Sequence, residues 1–175
     1  KIFIKSENRY KDNESILARP DISMVIPFLT DTPHNDILVT KEFRTAVQNS
    51  CNLVIEPPAG SSPHPKSPIR TALDELKEET GLQVDKKRLE WIQSKQSQAT
   101  FLTHKIHVFA LKMTKHESHH IRQMVNKKQI FGTNPNDKNG ERITLDILSF
   151  DDIASSDLDW TAIGAIQTAK QILNQ

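Results

Sequence analysis

The chain has a single cysteine, Cys51, so no internal disulfide can form and a reducing compartment is the simpler expectation. Long apolar runs are missing too. The longest, ISMVIPFL, is far below the ~20 residues that a membrane-spanning helix needs. The opening KIFIKSENRY lacks the apolar core and small-residue cleavage site of a signal peptide. Residue 1 is lysine, so the numbering can begin inside a longer chain. Neither sign of charge is in excess: 23 basic residues against 22 acidic ones leave no electrostatic footprint for nucleic acid or a membrane surface. These absences predict a cytoplasmic protein with no membrane partner and no nucleic-acid partner. Internal repeats and low-complexity tracts are also missing. What remains is 175 residues with enough apolar content for one domain and its core, with room for a small extra lobe.

Residues 1–5 (KIFIK) alternate apolar and polar and read as a strand. SMVIPFL and NDILVTKEF read as two strands of a hairpin across the turn-forming TDTPHN. NSCN is a turn, LVIE a short strand stopped by two prolines, and a loop begins near Pro57. Ser67 followed by Pro68 suits a helix start, which predicts a helix from about Pro68 to Thr80 with Gly81 as its left-handed cap. RLEWIQSKQS, HKIHVFALKM and RITLDILSF read as strands. The polar stretch 114–141 between them reads as a long insert ending in turn signals. From IASSDLDW to the end the pattern is an amphipathic helix with Ile163, Ile166, Ala169 and Ile172 on one stripe. Strands, a central helix, more strands and a last helix predict an α+β fold with a mixed sheet.

The acidic density lies in ALDELKEETGL, residues 72–82. On a helix Glu75, Glu78 and Glu79 share one face, while Ala72, Leu73 and Leu76 turn toward a core. Like charges at that spacing repel, so either the face is simply solvated or a cation compensates it. Magnesium or manganese prefers such carboxylate oxygens.

PAG, a proline-rich loop and ELKEETGL together resemble the Nudix box, G-x5-E-x7-R-E-U-x-E-E-x-G-U, where U is a bulky aliphatic. Counted from Gly60, the residues Gly60, Glu75, Leu76, Glu78, Glu79, Gly81 and Leu82 match, which is seven of the nine specified positions. ILVTKEFR and LVIEPPAG before the box, with HKIHVFAL and DWTAIGAIQTAK after it, resemble the ADP-ribose and nucleoside-diphosphate-sugar pyrophosphatases. The likeness covers roughly residues 20–172. It implies a Nudix fold, an α/β/α sandwich over residues 21–175, with residues 1–20 as an N-terminal strand segment in a dimerisation lobe. The activity implied is magnesium- or manganese-dependent hydrolysis of ADP-ribose or a related nucleotide sugar by a homodimer. Glu75, Glu79 and the Ala59 carbonyl would hold the metal, with Glu78 completing the shell or orienting a water. Glu141, in the downstream insert, would be the general base, with Asp137 and then Glu117 behind it. Arg44 would meet the substrate's phosphates and Glu56 the site's outer shell; each is otherwise a strand-end residue facing water.

Two box positions depart from the pattern, since Lys66 stands for the loop glutamate and Asp74 for the arginine. Either the family's ion pair is kept with its signs exchanged, or both positions drifted in a non-catalytic scaffold that binds RNA or protein. His116, His119 and His120 around Glu117 read as a solvated loop before a zinc site, because nothing fixes ligand geometry there. Lys127, Lys128 and Arg122 likewise read as a solvated basic cluster, and Cys51 takes no nucleophilic role. Trp91 and Trp160 are expected to pack on the core.

Overall fold

The computed structural model describes residues 2–13, 15–31, 36–62, 64, 66–132, 134, 136 and 140–173. In chain order the elements are β1 (Ile2–Ile4), β2 (Arg9–Lys11), β3 (Ile22–Phe28), β4 (Ile37–Phe43), β5 (Leu53–Glu56), β6 (Ala59–Ser61), α1 (Pro68–Thr80), β7 (Glu90–Gln96), β8 (Lys105–Lys112), α2 (Lys115–Asn126), β9 (Ile130–Phe131), β10 (Ile143–Leu148) and α3 (Trp160–Leu173). β1 and β2 pair with each other in a separate two-stranded sheet. The remaining eight strands form one mixed sheet whose main path runs β7-β8-β3-β4-β10-β9. The protein is therefore mixed α and β, with helices on both faces of a mixed sheet.

β3 is the central strand, parallel to β8 over its whole length, and Ser23 to Phe28 are all buried. A strand covered on both faces should read as a near-continuous apolar run, and ISMVIPF does, with Ser23 its one buried polar residue. On one face Met24, Ile26, Val39 and Val108 pack against Ala162, Ile166 and Ala169 of α3. On the other Val25, Leu38, Phe109 and Leu111 pack against Ala72 and Leu76 of α1 and Ile121 of α2.

The expected hairpin closes only at its tip, where Phe28 opposes Ile37 and Leu29 N–H donates to Asp36 O at 2.8 Å; Thr32 to Asn35 lie outside the described residues. Beyond the tip β3 and β4 diverge. Val25 and Leu29 direct their N–H groups to the same side, toward Pro58 O and Asp36 O, so Pro27 falls between them where a third donor would be needed. Proline has no N–H, and the ladder parts there. The parted strands receive β5 on β4 and β6 on β3, with the buried Pro57 and Pro58 as the link. Where a loop was expected from Pro57 onward, Ala59–Ser61 is thus a strand.

The stretch 114–141 also differs from its sequence reading, because α2 occupies Lys115–Asn126. Thr114 accepts from Glu117 N–H while the Glu117 carboxylate accepts from Thr114 N–H, a reciprocal cap that satisfies two free donors at the helix start. The last helix begins at Trp160, later than the apolar pattern suggested, after a 3-10 turn over Phe150–Ser155. Its buried positions include Ile166 and Ala169, as expected. Trp91 and Trp160 do not pack on the core; they are 60% and 87% exposed. Among the described residues no helix is long and apolar enough to cross a membrane.

Candidate active site

The site is assembled by the wedge that β5, Pro57, Pro58 and β6 drive between β3 and β4. Val25 N–H donates to Pro58 O at 2.9 Å, which pins the wedge to the central strand. Ala59 and Gly60 then lie under α1. α1 starts as predicted, with Ser67 at its cap position and Pro68 in its first turn, although the Ser67 side chain makes no capping hydrogen bond. It ends on Gly81 at φ 73°, a conformation that costs glycine little. Ala72 and Leu76 bury one face of this helix, and so turn Glu75, Glu78 and Glu79 toward the wedge.

These side chains line a cleft of about 770 Å³. Glu79 Oε2 accepts a hydrogen bond from Ala59 N–H at 3.1 Å. Gly60 lies so close to Glu75 that an added Cβ would collide with its carboxyl group. This glycine is required by close approach, not by its backbone angle. Burial pushes Glu75 up to about 7, helped by repulsion from Glu78 and Glu141 and opposed by Lys66. Glu79 is raised well above the usual range by burial and then by Glu75 and Glu56. Glu78 is exposed and is raised by the same kinds of cause, burial first and then Glu141. The isolated bridge between Ile55 and Leu158 puts Glu56 beside Asp159, and burial with that neighbour lifts Glu56 to about 7.

Of the site residues named from sequence, the cleft brings together Glu75, Glu78, Glu79, Ala59, Glu56, Arg44 and Glu141. Asp137 lies outside the described residues. Glu117 belongs elsewhere: Arg88 grips it in two hydrogen bonds of 2.6 and 2.8 Å, which hold its carboxyl down at about 2. The three histidines near it all lie on α2, not in a loop, and among the described residues they form no metal cluster; Arg122 is bound to Asp31 and Asp36, so the basic cluster loses a member. Sequence reasoning missed Asp159, Arg19 and His104 in the cleft. Asp159 accepts from Ala162 N–H at 2.7 Å at the start of α3, and no local pattern marked its place in the cleft.

Lys66 Nζ lies 2.9 Å from Asp74 Oδ2, across the loop from the helix. An ion pair thus joins the two departing positions, the first of the two alternatives their signs left open. Arg44, at the end of β4, is matched by Glu42 at 2.7 Å.

Among the described residues no three acidic, histidine or cysteine side chains are grouped closely enough to hold a metal ion as they stand. The donor set nevertheless fits a hard divalent cation: carboxylates that raise one another's pKa, in a wall where Glu79 has only the Ala59 N–H to favour its charge. A cleft that gathers several perturbed carboxyls is a candidate functional site. No model of a known protein family matches the chain, and no curated protein matches it either.

Proposed function

We propose that the protein is a Nudix-type hydrolase that cleaves the diphosphate of ADP-ribose or a related nucleotide sugar with magnesium or manganese. The observation that carries this reading is the convergence on one cleft of Glu75, Glu78 and Glu79 from α1, Ala59 from the wedge and Glu141 from the strand-ward loop. Layering of helices on both faces of a mixed sheet supports the Nudix fold, and the Lys66–Asp74 pair supports a box whose ion pair survives with exchanged signs.

In this reading Glu75, Glu79 and the Ala59 carbonyl hold the metal. When bound, it polarises the phosphate and lowers the pKa of the attacking water. Glu141 takes the proton from that water as the new O–P bond forms and the diphosphate bridge breaks, giving a nucleoside monophosphate and a sugar phosphate. Glu78 orients the water. Arg44 meets a phosphate oxygen with its guanidinium, exchanging part of its contact with Glu42 for the substrate. Burial in the cleft wall keeps Glu56 a weak acid beside Asp159, which suits an outer-shell residue. Dimerisation through residues 1–20 and a cytoplasmic location complete the proposal.

The test is magnesium-dependent monophosphate release from ADP-ribose, ADP-glucose and UDP-glucose, with Glu79→Gln as control. Cleavage lost by at least about 100-fold in the variant supports the reading. Folded wild-type protein inert toward all three would favour the non-catalytic scaffold.

A further inference from the structure

The cleft also takes side chains from two segments outside the wedge and α1. Leu17 and Leu102 form an isolated parallel bridge, with Leu17 N–H donating to Phe101 O at 2.7 Å and Thr103 N–H to Leu17 O at 3.3 Å. Two residues further along each segment stand Arg19 and His104, and both line the cleft, with Gln98 from the same turn as Leu102. The cleft's cations are three. Lys66 is matched by Asp74 and Arg44 by Glu42, whereas Arg19 makes no ion pair or hydrogen bond among the described residues. His104 is 3% exposed and its Nδ1 has no hydrogen-bond partner among them. Buried polar atoms are normally satisfied, so an orphan in a cleft wall marks a place where a ligand's polar group has something to supply.

We propose that Arg19, with Gln98 and His104, forms a recognition subsite for an anionic group, carboxylate or phosphate, carried on the sugar of the substrate. This rests on the hydrolase reading above. The carboxylates repel anions until a metal is bound, so the diphosphate belongs with them and a further negative group belongs beside Arg19, the cleft cation that is not already engaged among the described residues. A guanidinium fork takes either group in two parallel hydrogen bonds, which a neutral hydroxymethyl cannot match. A sugar nucleotide with a charged sugar is then preferred to its neutral counterpart by about tenfold, the lower end of a charge-assisted hydrogen bond because Arg19 is solvent-exposed.

Two matched comparisons test it, each on wild type, Arg19→Gln and Arg19→Lys. One is kcat/KM with magnesium for UDP-glucuronate against UDP-glucose. The other is calorimetric binding of glucuronic acid 1-phosphate and glucose 1,6-bisphosphate against glucose 1-phosphate, which needs no turnover and separates the carboxylate from the phosphate arm. The expected result is a wild-type preference of about tenfold for a charged sugar, abolished in Arg19→Gln through the charged ligand alone and partly kept in Arg19→Lys. Equal handling of charged and neutral sugars by wild type overturns the subsite, as does an equal loss for both in Arg19→Gln. If neither sugar nucleotide is cleaved, the calorimetry decides the subsite alone, and the hydrolase reading is decided separately by the three-substrate assay above.

Discussion

Lys66 and Asp74 meet at 2.9 Å, joining the loop after β6 to the second turn of α1. Both side chains are more than a third exposed, so their attraction adds little to stability, about 0.5 kcal/mol. Its use is positional, because Asp74 precedes Glu75 and the pair fixes how the loop crosses the carboxylates. Lys66→Glu and Asp74→Arg should each lower magnesium-dependent turnover, while the double exchange recovers part of it. Recovery stays incomplete because Arg70, 3.3 Å from Asp74, faces a like charge once the signs are exchanged. Additive losses in the double-mutant cycle would remove the positional role.

Gly60→Ala separates folding from chemistry. The new methyl meets the end of the Glu75 side chain, a flexible group that can swing away, so the melting temperature should fall only by the equivalent of about 1 kcal/mol. Turnover should fall much further, since the displaced group is a proposed metal ligand. A thermal melt beside an activity assay checks the split; equal losses in both would contradict it.

Metal binding should compete with protons. Glu75 stands at about 7 and Glu79 well above its ordinary value, so both carry protons below that range and must release them to a cation. Magnesium affinity measured by calorimetry should weaken about tenfold between pH 8 and pH 6, with proton release detected in buffers of different ionisation heat. Affinity flat over that window would show that these carboxyls are not the ligands.

Away from the cleft, the Arg88–Glu117 clamp ties α2 to the turn before β7. The Arg88 hydrogen bonds hold the Glu117 carboxyl at about 2, below its ordinary 4.5. A depressed acid stabilises the fold above its unfolded pKa, and that contribution fades as pH falls from 4.5 toward 2. Glu117→Gln should cost about 1–2 kcal/mol at pH 7, after allowance for the partly solvated guanidinium, and nothing near pH 2. Urea melts across that range measure it.

Local signals were legible where they were strong. Ser67-Pro68 and Gly81 marked both ends of α1, and LVIE marked β5. The acidic face of α1 was legible as a candidate site because helical spacing alone groups Glu75, Glu78 and Glu79. α2 was hidden by its polar surface, although the Thr114 to Glu117 spacing carried the capping pattern that starts it. The parting of β3 from β4 was written in Pro27 but needs the neighbouring hydrogen bonds to be read. Asp159 and His104 reach the cleft through long-range pairing, which no local pattern encodes. Trp160 lies at the first turn of α3 with its ring in water, and nothing in the structure explains its exposure.

Because β5 is stitched to β4 and β6 to β3, the two prolines between them span a fixed gap. One residue more or fewer there would turn Glu56 or Ala59 to the opposite face of its strand. A change in chain length, whether by evolution or by an engineer, is therefore ruinous between Glu56 and Ala59.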